Sequence, residues 1–240
     1  MSERKEILII KNITREDTGL LGDIIRENGI KHEVIDLSKG ETIGSVENYG
    51  AVVVLGGPDS ANDESRKMKS ELTLIRKVLD ARIPYLGICL GLQTMIKAAG
   101  GRVVKSPVKE IGFLDQNRDY YKVKLTEEGR KDPLFDGIGD TFNVFHLHGE
   151  TVIITEKMNL LAEGRYCRNQ IVKLGDNAYG IQCHFELTKE MFETWIKEDP
   201  DLLKFDKEQL RSDFQAIMEL YLHTGRQLFQ NFLMTAGFRI

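Results

Sequence analysis

The segment Pro-Tyr-Leu-Gly-Ile-Cys-Leu-Gly, residues 84–91, is the most informative part of the chain, because its apolar run passes directly into a helical run at residues 92–99. A buried strand followed at once by a helix leaves Cys89 on a very tight turn, where Gly87 and Gly91 avoid collisions with the crowded backbone. The thiol would project at the carboxyl edge of a parallel sheet and at a helix N-terminus, which favours a thiolate. The pattern predicts a nucleophile elbow at Cys89; a buried core cysteine is the alternative.

Strand-like and helix-like segments alternate through the first half of the chain, a pattern typical of a doubly wound parallel sheet. The strands predicted there are residues 6–10, 33–37, 51–55 and 84–88. Shorter runs in the second half predict antiparallel strands at one side of the sheet, at residues 103–104, 120–125, 143–147, 151–154 and 171–174, whereas residues 179–183 predict another buried strand. We therefore predict an α/β fold with a doubly wound, mostly parallel sheet of flavodoxin-like type, flanked by helices.

The C-terminal part of the chain is charged and helical in pattern after Thr188. The sequence Asp199-Pro200-Asp201 predicts a break, and the remainder is typical of a helical hairpin that ends near Phe232. We predict one domain over residues 1–240, with a helical insertion at residues 189–224 that extends the fold at its C-terminal end.

A second segment, Gly-Ile-Gln-Cys-His-Phe-Glu at residues 180–186, runs off the end of a predicted strand. A nucleophilic cysteine needs a base, and the base needs a group that orients it. His184 and Glu186 are two residues apart on extended chain and can project to the same side. The pattern predicts that His184 is the base and Glu186 its orienting carboxylate; a structural histidine beside a surface glutamate is the alternative.

The sequence Gly56-Gly57-Pro58 ends the central strand next to the one that carries Cys89. Glycines at that point allow backbone N–H groups to approach a bound oxygen, and removing one such donor commonly costs about 3 kcal/mol of catalysis. The N–H of Leu90, at the start of the next helix, points toward the same place. A plain turn is the alternative interpretation of the glycine pair.

Together these segments resemble the class I glutamine amidotransferase family, in its stand-alone form similar to the glutaminase part of GMP synthase. The matching pieces are LGGP at residues 55–58, GICLGLQ at 87–93, YGIQCHFE at 179–186 and the closing helix at 225–233. The resemblance implies a cysteine-dependent amide hydrolase that attacks the side-chain amide of L-glutamine, forms a γ-glutamyl thioester and releases ammonia. It implies an oxyanion hole formed by Gly57 and Leu90. The chain departs from the family's usual Phe-His-Pro-Glu by having Phe185 in place of the proline.

The same resemblance implies a set of substrate contacts. Gln93 would lie against the substrate, and Glu110 belongs to a segment that lines the same pocket. His148, Gly149 and Glu150 would bind the α-amino and α-carboxylate ends of glutamine. His146 and His148 alternate on a strand with Glu150, in a pattern that resembles a metal site. A third ligand of the right type to join the two histidines is not evident, so no metal or other cofactor is expected.

Composition excludes several classes of protein. The formal net charge is −4 with no long basic run, so no nucleic-acid partner is indicated. The three cysteines, Cys89, Cys167 and Cys183, form neither a disulfide framework nor a zinc motif; we expect Cys183 to be a core residue and Cys167 to be incidental. The N-terminal residues lack a signal-peptide pattern and no apolar run spans a membrane, so a cytoplasmic location is predicted.

Three functions stay open at this level. The first is a glutaminase that delivers ammonia to a separate partner synthetase, because the chain has no P-loop or ATP-binding motif of its own. The second is a free-standing γ-glutamyl hydrolase that acts on γ-glutamyl peptides or conjugates by the same chemistry. The third is a non-catalytic regulatory module, against which the complete set of Cys89, His184 and Glu186 argues.

Overall fold

A computed structural model describes residues 6–240; residues 1–5, which include part of the stretch on which the absence of a signal peptide was predicted, lie outside the described residues. The strands are β1 (Glu6–Lys11), β2 (His32–Asp36), β3 (Tyr49–Val54), β4 (Tyr85–Ile88), β5 (Arg102–Gly112), β6 (Lys122–Leu125), β7 (Thr141–Asn143), β8 (His146–Ile153), β9 (Met158–Gly164), β10 (Asn169–Leu174) and β11 (Ala178–Ile181). The helices are α1 (Gly19–Glu27), α2 (Arg66–Asp80), α3 (Leu90–Ala98), α4 (Lys189–Glu198) and α5 (Lys207–Thr235).

Nine strands form one sheet in the order β2-β1-β3-β4-β11-β10-β9-β6-β7. The neighbours from β2 to β11 run parallel, and those from β11 to β7 run antiparallel. The predicted doubly wound α/β sheet, with antiparallel strands added at one side, is therefore confirmed. The parallel strands are the apolar runs of the sequence because both faces of that half are covered by other elements.

The core lies on both faces of the sheet. Ile7 and Ile9 pack on one side with residues of α1 and α5, whereas Leu8 and Ile10 pack on the other side with residues of α2 and α3. This division follows from the alternation of side chains along a strand. A third cluster of mainly aromatic residues joins α4 and α5 to the region around Phe145.

Several boundaries differ from the sequence-based expectation. The predicted strand at residues 143–147 is split, since β7 ends at Asn143 and β8 begins at His146 and continues through the next predicted strand. β8 pairs with a longer β5 in a separate two-stranded sheet that was not predicted. β9 was also not predicted, because its sequence Met-Asn-Leu-Leu-Ala-Glu-Gly lacks a clear alternation.

The C-terminal prediction is partly wrong. A break does follow α4, but residues 207–235 form one helix of 29 residues with no hairpin inside it. The helix is continuous at position 224, so the predicted insertion at residues 189–224 has no structural boundary there. α4 contacts α5 through Phe192 and Phe214, whose ring centroids are 4.8 Å apart, because both helices bury aromatic faces in the third cluster.

Candidate active site

Cys89 lies in the tight turn between β4 and α3, with backbone angles φ 51° and ψ −102°. These angles are unfavourable for a residue with a Cβ and cost on the order of 1–3 kcal/mol. The glycines on either side are required. A Cβ on Gly87 would lie 2.3 Å from the carbonyl of Gly91, and one on Gly91 would lie 2.1 Å from the carbonyl oxygen of Val54. The structure thus has the strained strand-to-helix turn that the sequence predicted.

The side chain of Cys89 is almost enclosed. The residue is 6% exposed, and its Sγ lies 3.9 Å from the carbonyl oxygen of Leu147. Gln182 donates from Nε2 toward Sγ at 3.6 Å, and its Oε1 accepts from Nε2 of Gln93 at 3.3 Å. Sequence reasoning missed Gln182, although it precedes His184 by two residues and therefore projects to the same side of the extended chain.

His184 and Glu186 form a buried pair directly beyond β11. Nδ1 of His184 lies 2.5 Å from Oε1 of Glu186, and the second oxygen, Oε2, accepts a 2.9 Å hydrogen bond from the backbone N–H of Phe185. The Nε2 atom of His184 is buried without a hydrogen-bond partner among residues 6–240. The imidazole is therefore held at one nitrogen and open at the other, the arrangement that a base requires.

The protonation of His184 follows from its neighbours. Burial lowers the pKa of the imidazole, but the Glu186 carboxylate and the nearby Cys89 thiol outweigh burial and raise the pKa well above its usual range. The neighbouring Cys183 is fully buried in the core, as expected, and burial raises the pKa of its thiol well above the usual range. Cys183 therefore lacks the environment of a reactive thiol.

Helices α4 and α5 pack against the segment that carries His184 and Glu186, a contact that sequence reasoning did not predict. The hydroxyl of Tyr221 on α5 donates to the carbonyl oxygen of His184 at 2.9 Å. The ring of Trp195 on α4 lies 5.1 Å from the imidazole centroid at an interplanar angle of 90°. Gly225 allows α5 to approach closely, since a Cβ there would lie 2.5 Å from the carbonyl oxygen of Phe185.

The two residues predicted for an oxyanion hole are neighbours in space. Gly57 follows β3, which pairs with β4, and a Cβ on Gly57 would lie 3.4 Å from the side chain of Leu90. Leu90 is the first residue of α3, and the first N–H groups of a helix have no partner within it. Both backbone donors therefore flank the turn that carries Cys89.

Most of the residues predicted to contact the substrate are linked to one another by hydrogen bonds close to the turn at Cys89. Gln93 donates from Nε2 to the carbonyl oxygen of Glu150 at 3.4 Å, and the Glu150 side chain accepts from the hydroxyl of Ser60 at 3.0 Å. Nδ1 of His148 lies 3.0 Å from the same carbonyl oxygen of Glu150. Gly149 lies between them on β8, and a Cβ there would lie 3.6 Å from the side chain of Lys109.

His148 and Glu110 face each other on the paired strands β8 and β5. Nε2 of His148 lies 3.1 Å from Oε2 of Glu110, and both side chains are buried. Cys167, expected to be incidental, is also buried here, with Sγ 3.0 Å from the hydroxyl of Thr151. Burial raises the pKa of the Cys167 thiol to about 11.

Among residues 6–240, two groups of ligand-type atoms lie within 4.8 Å of one another: Glu110 with His148 and Cys167, and Glu16 with His184 and Glu186. His184 and Glu186 are hydrogen-bonded to each other, whereas Nε2 of His148 and Oε2 of Glu110 are 3.1 Å apart but have no hydrogen-bond partner among residues 6–240. His146, which packs at 4.9 Å from the ring of Tyr121, has a pKa well below the usual range because burial disfavours its charged form.

No helix in the described part of the chain is long and apolar enough to cross a membrane.

Glu16 is a second carboxylate close to His184, in addition to Glu186, and sequence reasoning missed it. It follows β1, and the ends of the adjacent strands β1, β3, β4 and β11 thus lead to Glu16, Gly57, Cys89 and His184. The carboxyl ends of parallel strands meet at one edge of a sheet, where α/β proteins place their sites. The position of Glu16 after an apolar strand was the signal available in the sequence.

The fold and the site together are those of an α/β protein with a cysteine at its candidate active site. Comparison with known proteins identifies its family. Residues 17–199 match the family model of class-I glutamine amidotransferases, and the chain belongs to this family. It is 35% identical over 158 residues to the glutamine amidotransferase-like protein YfeJ of Salmonella typhimurium, covering 64% of this chain and 63% of that protein. It is 30% identical over 217 residues to a glutamine-hydrolysing GMP synthase of Thermosipho melanesiensis, covering 86% of this chain.

The solved structure of a glutamine amidotransferase from Thermotoga maritima superposes with a TM-score of 0.85 at 28% identity, covering 96% of this chain and 99% of that one. The chain spans only 38% of the length of the Thermosipho GMP synthase. The expected resemblance to stand-alone glutamine amidotransferases and to the glutaminase part of GMP synthase is therefore confirmed.

Proposed function

We propose that this chain is a cysteine-dependent glutaminase that acts as a glutamine amidotransferase, with Cys89, His184 and Glu186 as its catalytic triad. The observation that carries the proposal is the strained turn at Cys89, whose thiol is close enough to the His184 imidazole to raise its pKa, while Glu186 binds that imidazole at 2.5 Å. Strain of this kind persists only where the surrounding structure holds it, and such residues cluster at active sites.

In the first half of the reaction, Nε2 of His184 accepts the Cys89 proton, and Sγ attacks the side-chain amide carbon of glutamine. The carbonyl oxygen becomes an oxyanion, which accepts hydrogen bonds from the N–H groups of Gly57 and Leu90. The imidazolium then donates its proton to the amide nitrogen. The carbon–nitrogen bond breaks, which leaves ammonia and a γ-glutamyl thioester on Cys89.

In the second half, water attacks the thioester while His184 accepts a proton from it. The carbon–sulfur bond breaks, glutamate leaves, and Cys89 recovers its proton through His184. Glu186 stabilises the imidazolium that forms in each half, a role that the raised pKa of His184 supports. Gln93, Glu110, His148, Gly149 and Glu150 are proposed to shape the pocket for the remaining part of the substrate.

The acceptor of the ammonia is proposed to be bound by a separate synthetase in the cytoplasm. The glutamine-hydrolysing GMP synthase to which this chain is similar is much longer, and the match covers 38% of it. A free-standing γ-glutamyl peptide hydrolase would use the same residues and differs only in the leaving group.

The test is glutamate release from L-glutamine and from γ-glutamyl dipeptides by purified protein. The Cys89→Ala variant should lose turnover and keep its fold by circular dichroism, whereas Cys183→Ala should keep turnover because that thiol is in the core. Turnover of peptides with little on glutamine would replace the amidotransferase by the peptide hydrolase. Full activity in Cys89→Ala, or no Cys89-dependent hydrolysis of either substrate, would refute the proposal.

A further inference from the structure

Glu16 lies in the loop between β1 and α1 and is only 4% exposed. One of its carboxylate oxygens lies within 4.8 Å of both a ring nitrogen of His184 and a carboxylate oxygen of Glu186. An acidic residue is rarely buried to this extent unless its oxygens have partners. The partner of Glu16 shows which part of the site it serves.

That partner is the backbone of the glycine pair after β3. The N–H of Gly56 donates a 2.7 Å hydrogen bond to Oε1 of Glu16. The approach is so close that a Cβ on Gly56 would lie 2.6 Å from the same oxygen. The same loop also touches the next residue, because a Cβ on Gly57 would lie 2.6 Å from Cβ of Asn12. The β1–α1 loop therefore forms a hydrogen bond with Gly56 and packs closely against Gly57.

The other end of this loop is attached to the base segment. The N–H of Leu20, in the first turn of α1, donates to the carbonyl oxygen of Glu186 at 2.9 Å. Gly19 permits this approach, since a Cβ there would lie 1.9 Å from that oxygen. One short stretch of chain thus joins the glycine pair after β3 to the residues after β11.

We propose that Glu16 is a positioning residue whose carboxylate oxygen holds the N–H of Gly56 and thereby fixes the adjoining oxyanion donor, Gly57, relative to Cys89 and His184. This role rests on the proposed function. Glu16 acts through the backbone and does not touch the substrate. A displacement of about 1 Å in a catalytic group costs up to about 100-fold in rate.

The role requires an acceptor of the right reach and does not require a negative charge. Burial raises the pKa of Glu16 to about 7; the Glu186 carboxylate also raises it, while His184, the Gly56 N–H and Arg15 lower it. Near neutral pH a large fraction of Glu16 is therefore uncharged, and Oε1 still accepts from Gly56. An uncharged acceptor also adds no negative charge beside a developing oxyanion.

The experiment separates reach from charge with two variants. Glu16→Gln keeps the length and the acceptor oxygen and removes the charge, whereas Glu16→Asp keeps the charge and withdraws the oxygen by one methylene. We expect Glu16→Gln to retain kcat for glutamate release within about threefold, and Glu16→Asp to lose about 10- to 100-fold in kcat with KM within about threefold. Asp17→Asn, which alters the exposed neighbouring carboxylate, is the matched control and should leave both constants unchanged.

A second readout does not depend on turnover. Amide hydrogen exchange at Gly56 and Gly57 should be faster by about tenfold or more in Glu16→Asp than in the wild type, and unchanged in Glu16→Gln. If the wild type hydrolyses no glutamine, the proposed function fails while exchange at the glycine pair still tests the role of Glu16.

The proposal is overturned if Glu16→Asp is active and Glu16→Gln is impaired, because charge would then be the essential property. Equal impairment of both variants, or exchange at Gly56 that does not respond to Glu16→Asp, would also overturn it. Wild-type behaviour of both variants in both readouts would show that Glu16 holds nothing of consequence.

Discussion

The backbone N–H of Phe185 donates a 2.9 Å hydrogen bond to Oε2 of Glu186, while Oε1 of the same carboxylate binds Nδ1 of His184. Phe185 lies between His184, the proposed base, and Glu186, its proposed orienting carboxylate, at a position where the family commonly has proline. Proline has no N–H and could not make this bond. The departure from the family's pattern therefore supplies the carboxylate with an additional donor.

Phe185→Pro is expected to lower kcat about tenfold relative to Phe185→Leu, because a hydrogen bond to a charged group contributes about 1.5–3 kcal/mol and only part of it serves catalysis. The leucine variant is the matched control, since it also lacks the buried ring but retains the N–H. Glutamate release at saturating glutamine measures the difference. Equal kcat in the two variants would show that the Phe185 donor does not contribute to the function of Glu186.

Glu186→Gln should lower kcat/KM less than His184→Ala does. Both oxygens of Glu186 accept hydrogen bonds, and an amide can replace only one of them, so one donor loses its partner and the imidazolium loses its counter-charge. The imidazole nevertheless remains present as a base. Steady-state kinetics of the two variants at the same pH provide the comparison, and a smaller loss in His184→Ala would contradict the assignment of the base.

Cys89→Gly should have a larger free energy of unfolding than Cys89→Ala, by about 1 kcal/mol or more, because glycine adopts a positive φ without strain. The matched control is position 183, which is not among the residues with positive φ. There the order should reverse, with glycine less stable than alanine. Urea unfolding measures all four variants, and the same order at both positions would contradict the strained turn at Cys89.

The free energy of unfolding should decrease as the pH rises from about 4.5 to 7, in part because of Glu71. Burial raises the pKa of this carboxyl to about 7 although Asn12 donates a hydrogen bond to it. The folded state then binds more protons than the unfolded state between these pH values, which removes stability on the order of 3 kcal/mol as the pH rises.

Glu71→Gln should reduce this decrease when urea unfolding is compared at pH 5 and pH 8. Glu127→Gln is the control, because Glu127 is exposed and forms no ion pair among residues 6–240, so its exchange should leave the pH dependence as in the wild type. An unchanged pH dependence in Glu71→Gln would show that this carboxyl is already ionised in the folded protein at low pH.

The sequence by itself determined the parallel half of the sheet and the turn at Cys89. Continuous apolar runs are typical of strands covered on both faces, and glycines two residues before and after a cysteine indicate a turn that tolerates no side chains beside it. His184 and Glu186 were also predicted, because their spacing on extended chain places both side chains on one face. These are local properties, which short stretches of sequence encode.

Only the tertiary structure decided which distant residues meet at this edge of the sheet. Glu16 and Tyr221 come from different parts of the chain, and no local pattern relates them to Cys89 or His184. The single helix at residues 207–235 likewise packs its aromatic residues against α4 and the region around Phe145, which a charged local sequence does not reveal. Contacts of this kind depend on strand order and helix packing, which are set by the burial of the whole core rather than by neighbouring residues.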